Sequence, residues 1–215
     1  MKFGVNILLK KLIILVISIL ILFYLLILPK YVSIGSINLL ELQRNVIEWN
    51  YIGVTANYLL FIILFKYSKK TLSNFGVHIG KFRKNIRWFI IITIFLITLF
   101  RIIAILTNGS LKFQVPTIST IIFQLFYVAF GEELFWRGYV QTEYGIGIAS
   151  ISFGFIHFLN IFGRDIPLTQ AIIWGITATV LGFIMGYIRK KTDSIYASSI
   201  FHGLFNISNH FFIPL

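Results

Sequence analysis

The chain has 215 residues, 58% of them hydrophobic and 12% charged, with a mean hydropathy of +0.88 and a formal net charge of +12. Such usage excludes an ordinary water-soluble domain and defines an integral membrane protein. There is no cysteine, so disulfides and thiol catalysis are excluded as well.

In chain order, the first apolar run, Leu12–Leu28, follows Lys2, Lys10 and Lys11. It has the layout of a signal peptide, but no small-x-small cleavage site follows in Pro29–Ser33, so it is expected to remain as an anchor. Ser36–Trp49 is a mixed connector, and a second span covers about Tyr51–Tyr67. A basic loop follows, with Lys66, Lys69, Lys70, Lys81, Arg83, Lys84 and Arg87. The third span is Trp88–Leu106, and Thr107–Pro116 is a turn-rich loop. The fourth runs from about Thr117 to Val140, the fifth covers about Ile148–Phe162, and Gly163–Pro167 is a loop. The sixth, Leu168–Ile188, is punctuated by glycine, which suits close helix packing. Arg189, Lys190 and Lys191 precede the seventh, Ser194–Ile213. With no linker-like tract and no internal repeat, the expected architecture is all-α: a polytopic membrane helix bundle of about seven transmembrane helices in a single domain, residues 1–215. Residues 1–117 are expected as peripheral helices and 118–215 as the core that carries the chemistry.

Seven spans alternate sides, so the positive-inside rule assigns an orientation. With the N-terminus in the cytosol, 14 bases fall on cytosolic segments and 4 (Lys30, Arg44, Lys112 and Arg164) on external ones, leaving Arg101 inside the third span. The bases flank apolar spans, so the positive charge reads as membrane topology and not as a nucleic-acid surface. Anionic lipid attracts a loop such as Lys81–Arg87 by about 1 kcal/mol per base.

The fourth span breaks its apolar pattern with Gly131-Glu132-Glu133-Leu134-Phe135-Trp136-Arg137. An acidic side chain at mid-membrane costs roughly 2.5–3.5 kcal/mol, yet two of the chain's 7 acidic residues stand side by side here. Glu133 and Arg137, four apart, can pair on one helix face. Glu132 lies about 100° away around the helix and needs other partners. Later spans offer them: His157 in Phe153-Gly-Phe-Ile-His157, and His202 one turn from Asn206 in His202-Gly-Leu-Phe-Asn206. Glu132, His157 and His202 each lie eight or nine residues from the cytosolic end of their spans. At ~1.5 Å per residue, all three sit ~12–14 Å below the surface of a ~30 Å core. They are expected to line one cavity open toward the cytosol, with Asn206 one turn deeper.

These motifs, Glu-Glu-x-x-x-Arg, Phe-x-x-x-His and His-x-x-x-Asn in that order, resemble the CAAX protease and bacteriocin-processing family of intramembrane proteases (CPBP, also Abi), which includes the type II CAAX prenyl endopeptidases. The resemblance covers about Ile118–Ile213 and departs in span count, seven here against eight in the prenyl proteases. It implies an intramembrane endopeptidase in which Glu132 and His157 hold the catalytic water while His202 and Asn206 form the oxyanion hole.

The residues by themselves support the same chemistry. Amide hydrolysis needs an activated water, a proton carrier and donors for the developing oxyanion. Glu132 is the candidate general base, acting on a water also held by His157. His202 and Asn206 can aim donors at the tetrahedral oxygen, and Glu133 with Arg137 can fix the helix end behind them. Glu132, His157, His202 and a water also match a tetrahedral zinc set, so a zinc cofactor stays open at this point, the metal-free glutamate version being favoured.

Other membrane-protease chemistries are missing: there is no His-Glu-x-x-His helix, no Gly-x-Ser-Gly, and Asp165 and Asp193 lie in loops on opposite sides. No repeated halves support a transporter. His78 and His210 read as solvated or interfacial, and Arg101 as snorkelling or paired internally. The Ile-, Lys-, Asn- and Phe-rich composition fits an AT-rich bacterial genome, in which prenylated substrates are not expected. The expected partners are the lipid bilayer and a membrane-tethered or amphipathic peptide, such as a bacteriocin or signalling-peptide precursor, cut near the cytosolic face. The alternative from another class is a bacteriocin-immunity or regulatory membrane protein that uses the same site for binding.

Overall fold

A backbone in lipid finds no water for its N–H and C=O groups, so long apolar runs satisfy them internally as helices. The computed structural model describes residues 2–32, 36–39, 42–45, 49–108, 111–164 and 166–214. Each expected apolar segment forms a helix. These are α1 (Lys2–Tyr31), α2 (Trp49–Ser68), α3 (Ile86–Asn108), α4 (118–140), α5 (Gln141–Phe158), α6 (Leu168–Thr192) and α7 (Ile195–Phe211). Short helical turns at Leu72–Phe75, Arg83–Asn85 and Asn160–Gly163 and two antiparallel ribbons, β1 (Ser36–Leu39) with β2 (Leu42–Asn45) and β3 (Leu111–Phe113) with β4 (Phe212–Pro214), complete the described elements.

Among the described residues, five stretches are long and apolar enough to cross a membrane: Leu9–Tyr31, Tyr51–Ser68, Arg83–Leu106, Ile118–Gly163 and Leu168–Thr192. The protein is therefore a multi-pass membrane protein. The fourth stretch, 46 residues, contains two of the expected spans. It breaks at Gly145, where φ 85° and ψ 168° suit a residue without a Cβ. The chain then returns alongside α4, bringing the Phe153 ring to 5.9 Å from Trp136. Glycine also sets the α5–α6 contact, since a Cβ on Gly154 would stand 1.8 Å from Thr179 Oγ1. The glycines of the sixth span pack closely as expected, since a Cβ on Gly175 would stand 2.9 Å from Phe158 Cβ and one on Gly182 3.0 Å from Ser150 Cα. Phe135, Trp136, Phe153, Ile156, Met185, Ile188 and Phe201 form the centre of the apolar core.

Helix α4 is irregular in a way that its sequence does not announce. Two π-helical stretches, Phe123–Ala129 and Leu134–Val140, flank the single regular turn Phe130–Glu133. Such widened turns are rare and recur at functional sites. Tyr58 on α2 supports the first one, its hydroxyl lying 3.2 Å from the carbonyl oxygens of both Phe126 and Tyr127.

The basic loop after α2 closes the end of the bundle. Phe75 is fully buried among Phe61, Phe65 and Tyr139. The Ile195 amide donates to the Gly76 carbonyl at 2.9 Å, the Ser194 hydroxyl donates to the His78 carbonyl, and the Lys81 amide donates to the Thr192 carbonyl at 2.6 Å. Lys70 and Lys11 both reach the Glu143 carboxylate, Lys11 at 2.9 Å. Segment 69–85 is thus a plug over the ends of α6 and α7.

Candidate active site

The turn Phe130–Glu133 hands two carboxylates to different surroundings. Glu133 is fully buried, with Arg137 Nη1 3.3 Å from its Oε1. His202 Nδ1 lies 3.2 Å from the same oxygen and, against a carboxylate, is the donor. Arg137 is also fully buried, its guanidinium 4.5 Å from the centre of the Phe153 ring. The expected Glu133–Arg137 pair is present, and it does more than fix a helix end, because Glu133 also orients His202.

Glu132, 4% exposed, lies on the cavity side, its Oε2 3.8 Å from His202 Nε2. The imidazole of α7 therefore stands between two glutamates of α4, one against each nitrogen. His157 on α5 is oriented by its own helix: Nδ1 is 2.8 Å from the Phe153 carbonyl. A carbonyl only accepts, so Nδ1 carries the hydrogen and Nε2 of the neutral ring is an acceptor. Asn206 donates from Nδ2 to Gln124 Oε1 at 3.1 Å.

Glu132, His157, His202 and Asn206 line one cavity of about 260 Å³, together with Gln124, Asn160 and Trp174. Arg164, Asn209 and His210 also line it. An apolar chamber of about 210 Å³, walled by Leu181, Met185 and Phe201 among others, adjoins it and shares His157, His202 and Asn206. The structure brings all four expected residues to one space. Its lining extends to Arg164 and to Asn209 and His210 in the last turn of α7, away from the basic end, and Asn206 lies one turn nearer the Arg164 end than His202. Under the positive-inside orientation that end of the cavity lies toward the outer side of the membrane.

Residues outside the motifs also take part. Gln124 lines the cavity, and no spacing rule picks it out. His210, read as solvated or interfacial, borders the cavity with its Nε2 3.5 Å from Gln124 Nε2. Arg101 is half-buried with its guanidinium 5.5 Å from the Phe205 ring, which fits internal pairing through a cation–π contact. A shared zinc ion would require Glu132, His157 and His202 to converge at ~2.0–2.2 Å from one point. Among the described residues, no three histidine, aspartate or glutamate side chains are grouped so as to hold a metal ion.

A multi-pass helical membrane protein with a buried glutamate pair facing histidines from two other helices is the class this fold and site define. Comparison with known proteins narrows it. Residues 113–208 match the family model described as type II CAAX prenyl endopeptidase Rce1-like, a protease family, and the three motifs, from Glu132 to Asn206, lie within that match. The uncharacterized protein YpbD of Bacillus subtilis (strain 168) is 29% identical over 90 residues, 42% of this chain and 43% of YpbD. The chain thus spans less than half the length of that curated relative. No solved structure matches.

Proposed function

We propose that the chain is an intramembrane endopeptidase of the glutamate type, acting on a membrane-associated peptide. The observation that carries this is the convergence of Glu132, His157, His202 and Asn206, from α4, α5 and α7, on one cavity. A water donating one hydrogen to His157 Nε2 and the other to Glu132 is held for attack. Glu132 takes its proton as the oxygen bonds to the scissile carbonyl carbon, giving a tetrahedral oxyanion. The Asn206 amide supplies one donor to that oxygen. His202 supplies another from Nε2 when its ring carries both protons, since Nδ1 is committed to Glu133. Glu132 then returns the proton to the amide nitrogen, the C–N bond breaks, and a carboxylic acid and an amine leave. No step runs through a metal.

The peptide enters from the end that holds Arg164 and His210, and the apolar chamber beside His157 and His202 takes an apolar side chain next to the scissile bond. The substrate class that suits such a site is an amphipathic or membrane-tethered peptide, of the kind that bacteriocin and signalling-peptide precursors present. The test compares cells expressing wild type with cells expressing Glu132→Gln by mass spectrometry of their small peptides. Fragments should appear with wild type alone, and purified wild type should keep cleaving after exhaustive chelation. Activity lost to the chelator and restored by zinc would refute the metal-free mechanism, and identical peptide profiles would refute the hydrolase.

A further inference from the structure

Asn206 carries its amide on two rotatable bonds, and an oxyanion donor is useful only if its nitrogen end is aimed before the substrate arrives. Its aim is set by one residue outside the three motifs. Gln124, 6% exposed on the first π-helical stretch of α4, accepts the Asn206 Nδ2 hydrogen on Oε1 at 3.1 Å. One amide hydrogen of Asn206 is thereby fixed, which leaves the other for a substrate oxygen in the cavity both residues line. Gln124 is itself oriented: its Nε2 is 3.5 Å from Nε2 of His210, one turn beyond Asn206 on α7. In a regular α-helix Gln124, eight residues before Glu132, would be turned about 80° away from it. The π turns rotate less per residue, and both side chains reach the same cavity.

We propose that Gln124 is a positioning residue for the oxyanion donor Asn206, acting through the hydrogen bond between their amides. The inference rests on the hydrolase reading above. The glutamine selects which end of the Asn206 amide meets the tetrahedral oxygen, so its loss acts on kcat and leaves KM in place.

The test uses full-length protein in lipid vesicles and quenched fluorogenic peptides with apolar central residues, in a double-mutant cycle of Gln124→Leu and Asn206→Ala. Gln124→Leu should lower kcat about tenfold with KM within about twofold, a fraction of the 10²–10³ expected for a lost oxyanion donor. In the Asn206→Ala background the same change should have almost no further effect, because the residue it positions is gone. Gln124→Met, unbranched and without an acceptor, should repeat these values, and serves if the leucine variant does not fold. Wild-type kcat in Gln124→Leu or Gln124→Met would overturn the proposal, as would losses that multiply in the double variant. A wild-type protein that cleaves none of the peptides would instead remove the hydrolase reading and this inference with it.

Discussion

Glu132 and Glu133 are neighbours of identical chemistry, yet replacing each by glutamine should have opposite consequences. Glu133 is 0% exposed and its Oε1 lies 3.3 Å from a guanidinium that is also 0% exposed. Glutamine fills the same space and still accepts from His202, but it removes the only acidic group within ion-pair reach of Arg137 among the described residues. Breaking one side of a buried pair costs about 3–5 kcal/mol because a charge is left uncompensated out of water. The Phe153 ring, 4.5 Å from the guanidinium, contributes about 2 kcal/mol before and after the change, so it does not offset the loss. Against a total stability of about 5–15 kcal/mol, Glu133→Gln should reduce folded yield severely. Glu132 borders the cavity, and its substitution should shift stability by less than about 1 kcal/mol while abolishing cleavage. Reversible unfolding of both variants in bicelles, followed by circular dichroism, measures the difference. A Glu133→Gln protein as stable as wild type, or a Glu132→Gln protein equally damaged, would refute this division of labour.

Three other outcomes are expected. Asn206→Ala should keep residual activity, 10²–10³-fold below wild type in kcat, whereas His157→Ala should fall to background; steady-state kinetics on one fluorogenic peptide separates the two. Gly154→Ala should lower the thermal midpoint of the purified protein, since its Cβ would overlap Thr179 Oγ1 at 1.8 Å and relief of such overpacking costs about 1–3 kcal/mol. Reporter domains fused after Lys70 and after Lys112 should read cytosolic and external respectively, which puts the cavity end lined by Arg164 and His210 toward the outside; the reverse pattern would put it toward the cytosol.

Sequence alone determined the class of this protein and the helical state of its apolar runs, because a backbone in lipid has no alternative to internal hydrogen bonding. It also determined the local pairs, Glu133 with Arg137 and His202 one turn from Asn206, since spacing on a helix is a property of a few adjacent residues. The turn at Gly145 was legible only as a gap between two apolar segments. What only the tertiary structure decided involves residues far apart in the chain. His202 reaches Glu133 across 69 positions, Asn206 reaches Gln124 across 82, and the 69–85 segment plugs the basic end through contacts with Thr192, Ser194 and Ile195. These depend on how each helix is rotated about its axis and which end of the bundle is filled, and an α-helical period carries no information on either. The π turns of α4 make the point locally: by altering the rotation per residue they bring Gln124 to the cavity of Glu132, where a regular helix would turn it away.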